Sequence, residues 1–484
     1  MELAFTDGFN QSASLPSMNR QCTNWYPKFI EDGEENGRPI IRKRLVGIPG
    51  LNQLATTGEG VASEKNRGAL VMDGVPYFVN GVTLNSLDAA FAITSLGTVT
   101  GSGKVSIAKN GIQLMVVVPG VAGYIFNKDT AAFEQINDPD FTANGFPQLV
   151  IFIEGYFLCI TDTKKFIISS LNDGTQWNAL DFGTAEADPD AIVAPVNFKS
   201  EAFIIGTKTI EGFENIGGVD FPFVKTGFII DKGCFARFSV VVTSDTFMFI
   251  GGGDNEDPAV WSIVGNKPVS VSNTGVELLL GALSQVELDE VSGYTYKQDK
   301  STFVAWELPL ATIVYGLETG KWHIRESQFT DLAKNIHTVG WRATALVTAY
   351  SKLICFDAID GRVGEVSLTI FDEYSAVIRR FFDVNPLRAG KNSFVIPRIE
   401  VTPEAGVADS STPNPKIRMK VSRDGQTFAG ERIRSLGLVG KTGHRPVWRQ
   451  NGRFKQYGLF RFLMASDVKP VIISVDAEIT IGRT

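Results

Sequence analysis

Near the carboxyl end, Arg445, Arg449, Arg453, Lys455 and Arg461 are interleaved with Trp448, Phe454, Tyr457 and Phe460. A guanidinium can stack on a ring and fork onto a carboxylate or phosphate, so such a mixture suits contacts with protein or nucleic acid. The same spacing also fits a strand with a basic outward face and an aromatic inward face. The chain carries a formal net charge of −7, which favours a protein interface over nucleic acid.

Other stretches with chemical potential are weaker. Gly251-Gly252-Gly253-Asp254-Asn255-Glu256-Asp257 is dense in oxygens but lacks the ligand spacing and closing bidentate Glu of a calcium hand. No Lys-Ser or Lys-Thr follows its glycines, so it is no phosphate loop, and a solvated hairpin is expected. Ser422 to Phe428 resembles the Asp-box hairpin of sialidase propellers, one residue short, where the Asp serves the turn itself. A glycosidase needs two carboxylates about 5 to 9.5 Å apart, and no pair stands out among 53 acids. Three histidines, His323, His337 and His444, are too scattered for a metal site or a Ser-His-Asp relay. Four cysteines, Cys22, Cys159, Cys234 and Cys355, read as buried small hydrophobes. The expectation is a non-enzyme with no catalytic residues, no metal and no cofactor.

The elements that carry these residues are strands. Leu149 to Ile153, a Glu154-Gly155 turn and Tyr156 to Ile160 form an apolar pair, and the pattern restarts at Ala191 to Ala194 and Ala202 to Ile205. Short apolar runs bounded by Gly, Asn, Asp or Lys read as antiparallel hairpins. The splitting turns recur at Asp73-Gly74, Asn110-Gly111, Glu154-Gly155, Lys199-Ser200, Ser244-Asp245, Lys297 to Lys300 and Tyr350 to Lys352. Their spacing, roughly 37 to 54 residues, matches propeller blades. One four-stranded blade cannot bury both faces alone, so blades stack around an axis. The fold class is therefore all-β: a β-propeller of six or seven blades over 66–367, with a pair of sandwiches as the rival fold.

Residues 1–65 read as an irregular amino-terminal arm marked by Asn24-Trp25-Tyr26-Pro27 and Gly47-Ile48-Pro49-Gly50-Leu51. Either it is an arm with two turns, or it crosses to another domain, since Trp25 and Tyr26 need apolar cover. Residues 368–484 read as a β-sandwich: Lys416 to Val421 alternates strictly, and Thr402 to Pro415 is a Pro, Ser and Thr-rich loop. Charge divides the chain at the same place. Up to Ile378 there are 27 basic and 44 acidic residues; from Arg379 on there are 19 and 9. No apolar run approaches the ~20 residues that span a bilayer, and Met1 to Asp7 lacks the marks of a signal peptide, so no membrane insertion and synthesis in the cytoplasm are expected.

Taken in order, several motifs resemble the packaged DNA stabilization proteins, also called tail hubs or nozzles, of short-tailed bacteriophages. They are Asn24 to Pro27, Pro49 to Leu51, Gly101-Ser102-Gly103-Lys104-Val105-Ser106, Ala185-Glu186-Ala187-Asp188-Pro189-Asp190, Ile210-Glu211-Gly212-Phe213, Asp231-Lys232-Gly233-Cys234, Ser422 to Gly425, and Trp448-Arg449 through Gly452-Arg453. The resemblance implies a virion protein made in the host cytoplasm. It implies a homo-hexameric tube below the portal and its head-to-tail adaptor ring, retaining packaged DNA and conducting it during ejection. Tailspikes or fibres outside and a plug or needle at the tip are its implied partners, and double-stranded DNA passes without specific binding. The arm and the sandwich would form the platform. Trp25, Tyr26, Arg445, Arg449, Arg453 and Lys455 are then the candidate adaptor or subunit contacts, and acidic residues of the repeats would face the lumen. A glycan-binding or glycosidase propeller of a phage tail is the alternative.

Overall fold

The computed structural model describes every residue except 13–18, 36–37, 186–190, 219–220, 331–333, 405, 409–410, 442 and 483–484. Residues 186–190 of the acidic motif at 185–190, and parts of the 402–415 loop, therefore lie outside the described residues.

Among the described residues, seven antiparallel blades follow one another. The first runs Asn66–Met72, Val75–Asn80, Thr83–Leu87, Ile93–Thr98, and the next three repeat this meander up to Phe223–Ile230. The fifth begins with a split strand, Gly233–Cys234 and Val241–Val242, both paired to Phe247–Gly252. The sixth spans Ser292–Gln298 to Lys321–Thr330. First strands of successive blades lie side by side around the axis, and Ala343–Ala349 of the seventh meets Asn66–Met72 of the first, closing the ring.

Burial explains the apolar runs. Second strands such as Gln113–Val118 and Phe247–Gly252 are covered on both faces by neighbouring blades, and every residue in these two is buried. Such strands read as continuous apolar runs rather than alternations. Outer strands such as Ala132–Gln135 are largely exposed. The recurring turns sit at the first hairpin of each blade. At Asp73-Gly74, Glu154-Gly155, Lys199-Ser200, Asp299-Lys300 and Tyr350-Ser351 both central residues have positive φ. That is the two-residue turn whose twist matches the flanking strands.

One boundary needs correction. The strand Gly50–Thr56, read from sequence as part of the arm, pairs with Arg362–Ser367 and is the outer strand of the seventh blade. Pairing the two ends of the ring removes an exposed strand edge and locks the circle.

The carboxyl region is a sandwich. One sheet joins Cys22–Thr23, Arg380–Asp383, Leu459–Met464, Lys416–Ser422 and Phe428–Ser435. The other joins Trp25–Glu35, Arg38–Gly47, Val471–Ile481 and Phe394–Pro403, ending at Val447–Arg449 and Arg453–Phe454. Ile399, Val401, Ile417, Met419, Trp448, Phe460, Phe462 and Val475 fill the space between them. The expected alternation holds at Lys416–Ser422, where Ile417 and Met419 are buried while Lys416 and Arg418 are exposed. The sandwich is continuous with the sixth blade: Thr23 pairs in parallel with Ile324 on one side and antiparallel with Phe381 on the other.

Candidate assembly interface

Asn24 to Pro27 is a structural joint. Asn24 sits at φ 59°, and its amide donates to the carbonyls of Glu326, 2.9 Å, and Arg379, 2.7 Å. Its side-chain oxygen accepts from the Glu326 amide at 3.0 Å. Left-handed backbone suits Asn, whose side chain bonds locally. Trp25 is fully buried, edge-on to Phe382 at 5.4 Å, and Tyr26 packs on Phe303 at 5.3 Å. The arm thus does cross between domains, and its rings find their apolar cover inside this chain. Trp25 and Tyr26 are corrected from candidate contacts to core residues: neither side chain can reach a partner without opening the fold.

Arg380 ties the joint from the other side. It is buried, and it donates to the carbonyls of Ile48, 3.1 Å, Phe371, 2.9 Å, and Ser466, 3.4 Å. Burial pulls its pKa down to about 10. Here one guanidinium serves the arm, the end of the propeller and the sandwich.

The four basic candidates behave differently. Trp448 and Phe454 point into the sandwich, while Arg445, Arg449, Arg453 and Lys455 are all exposed on its far edge. Strand alternation produces this, with aromatic positions in and basic positions out. Arg445 pairs with Glu400 at 3.0 Å, and Arg453 donates to Ser393 Oγ at 2.7 Å. Arg449 lies opposite Arg398 in the strand register.

Three further arginines were not among the interface candidates read from sequence. Arg432 and Arg434 reach across from the facing edge strand, Phe428–Ser435. Arg432 donates to the Arg449 carbonyl at 3.0 Å, and Arg434 to the Val447 carbonyl at 2.9 Å. Arg423 donates to the Asn451 carbonyl at 3.4 Å. Burial lowers the Arg432 pKa, and the neighbouring Arg434 and Arg423 lower it further. An arginine cluster thus covers the open end of the sandwich, where the edges of both sheets meet. It can receive carboxylates or phosphates.

The other motifs resolve as structure. The Thr427 hydroxyl donates to Asp424, as do the amides of Gln426, 2.9 Å, and Thr427, 2.8 Å, and together they hold its carboxyl well below the usual range. At the Gly251 to Asp257 tip, Glu256 is held by Lys232 and Asp254 by Lys208. The four cysteines are buried and free, and burial pushes their thiols up. His323 is buried beside Phe303 and Tyr26, and its imidazole pKa is pushed far down by burial and by Arg325.

Two family models match the chain. One is described as the β-propeller of bacteriophage P22 Gp10, over residues 38–371, and the other as the β-sandwich of the same protein, over residues 379–480. No curated protein matches. Among solved structures the chain is similar to the WD40 β-propeller domain of Doa1, with a TM-score of 0.41 and 11% identity, over 66% of this chain and 98% of that one. It is also similar to BamB from Moraxella catarrhalis, with a TM-score of 0.38 and 10% identity, over 67% of this chain and 92% of that one.

Proposed function

The chain belongs to the bacteriophage P22 Gp10 family, the packaged DNA stabilization or tail hub proteins of podoviruses, and on that premise we propose that it forms the tube below the portal and adaptor that retains packaged DNA and conducts it during ejection. As a structural protein of the phage tail it resides in the virion, assembled with other virion components. The carrying observation is the paired match, which covers propeller and sandwich in the order found here.

The geometry supports a tube of several copies, six by family resemblance. First strands crowd the propeller axis: Ser106 of the second blade donates to the Val150 carbonyl of the third at 3.2 Å, and Tyr294 of the sixth to the Ala343 carbonyl of the seventh at 2.9 Å. A duplex therefore passes between copies, not through one propeller. The acidic excess of residues 1–378 suits a bore that repels DNA, since each phosphate neutralised by Lys or Arg adds salt-sensitive affinity that brakes ejection. The basic edge of the sandwich is the assembly contact, facing the adaptor ring or the next copy. Tailspikes or fibres and a tip plug or needle complete the proposed set of partners.

The test is phage assembly without this chain. Filled heads should lose their DNA on purification, and added chain should restore retention. Heads that keep their DNA without it would contradict the reading.

A further inference from the structure

We propose that residues 2–11 are a strap that clamps sandwich and propeller into one rigid body, so that the two domains do not pivot on each other. This goes beyond the tail-hub reading and stands apart from it.

Domains of one chain move relative to each other by default, unless their interface is large and apolar. Here a strand weld makes the first attachment. Thr23 pairs with Ile324 of the sixth blade and with Phe381 of the sandwich, so one sheet runs through both. The propeller side of that weld is a single residue pair. A few residues at one point are what a hinge is made of, so the weld alone leaves an axis to twist about.

The strap supplies a second attachment, on the other sheet of the sandwich. Glu2 bridges to Asp476, and the Leu3 amide donates to the Val475 carbonyl at 2.7 Å. The Ala4 carbonyl accepts from the Asn385 amide at 2.8 Å, and Asp7 accepts from the Asn385 side chain at 2.8 Å. The chain then crosses to the propeller, where the Phe9 amide donates to the Trp322 carbonyl at 2.6 Å, on the fourth strand of the sixth blade. The Phe9 carbonyl accepts from the Asn273 side chain at 2.8 Å, and Asn10 Oδ1 accepts from the Gly275 amide at 3.1 Å. These two bonds fasten the strap to the helix Thr274–Gly281. The passage is close: Gly8 sits at φ 76°, and a Cβ there would collide with the Trp322 carbonyl.

Burial turns these bonds into a clamp. Leu3, Phe5 and Phe9 are buried in one apolar cluster with Phe382 and Val475 of the sandwich, Trp306 and Trp322 of the sixth blade, and Val276 and Leu280 of the helix. The Phe5 and Phe382 rings lie 6.3 Å apart. Such interiors are close-packed, and any pivot has to open them. Two attachments on different sheets, with a shared core between them, leave no free axis. In a tail, movement at the sandwich would then reach the propeller as rotation of the whole copy.

The test is the spread of distances between a spin label on the propeller, at Ile112→Cys, and one on the sandwich, at Ile433→Cys, in the full chain. Both positions are exposed, whereas the four native cysteines are buried. Pulsed electron resonance should give one narrow distribution. Deleting 2–11 should broaden it, with circular dichroism and melting curves showing that the chain is folded. Should the deletion fail to fold, Gly8→Ala with Phe9→Ala takes its place and should broaden the distribution in the same way. A broad distribution with the strap intact would overturn the proposal. So would a distribution that stays narrow in a folded strap variant. Neither result touches the tail-hub reading, which phage assembly without this chain tests on its own.

Discussion

Leu51 lies opposite Val366 in the seventh blade, so two segments more than 300 residues apart seal the propeller by strand pairing. The ring has no covalent lock, and its closure depends on how closely the chain passes at this point. The same arm, just before this strand, supplies Trp25–Glu35 and Arg38–Gly47 to the sandwich, so one short stretch of chain joins the seam to the sandwich.

Gly50 opens the sealing strand, and a Cβ there would collide with the carbonyl of Asp372. Gly50→Ala should cost about 1–3 kcal/mol, because backbone has to shift. Thermal melting should show a lower midpoint, and limited proteolysis should cut first near the seam. An unchanged midpoint would mean that the seam carries no stability.

Replacing Arg380 removes four carbonyl contacts at a buried joint, the fourth to Ile378 at 3.5 Å. Arg380→Met should destabilise by about 3 kcal/mol, since each orphaned buried acceptor costs about 1–3 kcal/mol. Arg380→Lys should rescue little, because an ammonium lacks the fork that reaches divergent carbonyls. Urea unfolding would check this, and full rescue by lysine would contradict it.

His323 gives a pH dependence of known sign. Burial, with Arg325 nearby, holds its folded pKa well below the usual imidazole value of 6.5, so the fold keeps it neutral. As pH falls below about 6.5 the unfolded chain takes up a proton that the folded chain refuses, and stability is lost at up to about 1.4 kcal/mol per pH unit until the folded pKa is reached. The contribution is fully present above pH 6.5. His323→Phe, packing between Tyr26 and Phe303, should flatten this part of the curve between pH 6.5 and 5. Parallel curves for the two proteins would refute the assignment.

Lys199 and Ser200 both adopt left-handed backbone, at φ 54° and 63°. Asn-Gly at these positions should stabilise by about 1 kcal/mol, since that pair meets the turn at less steric cost. The melting midpoint should rise, and a fall would show that the side chains make contacts worth more than the strain.

These turns explain why the blades were legible in the sequence. A tight turn between two apolar runs leaves a local mark, and even Lys199-Ser200 shows it. Blade closure left none, because the Gly50–Thr56 partner is distant in sequence and the strand is only partly buried. The basic edge was half legible. Arg449 and Arg453 alternate with Trp448 and Phe454, whereas Arg432 and Arg434 sit on a strand exposed along most of its length, which has no apolar rhythm to betray it. Trp25 and Tyr26 announced a need for cover, but sequence could not say whether the cover lay in this chain or another.

The central claim is that copies of this chain build a DNA-conducting tube below the adaptor. Electron microscopy of the chain mixed with its phage's adaptor ring, alongside the chain alone, tests it most directly. The account predicts a six-fold tube with an open bore seated on the ring through the sandwich platform. A monodisperse monomer that ignores the adaptor would contradict it.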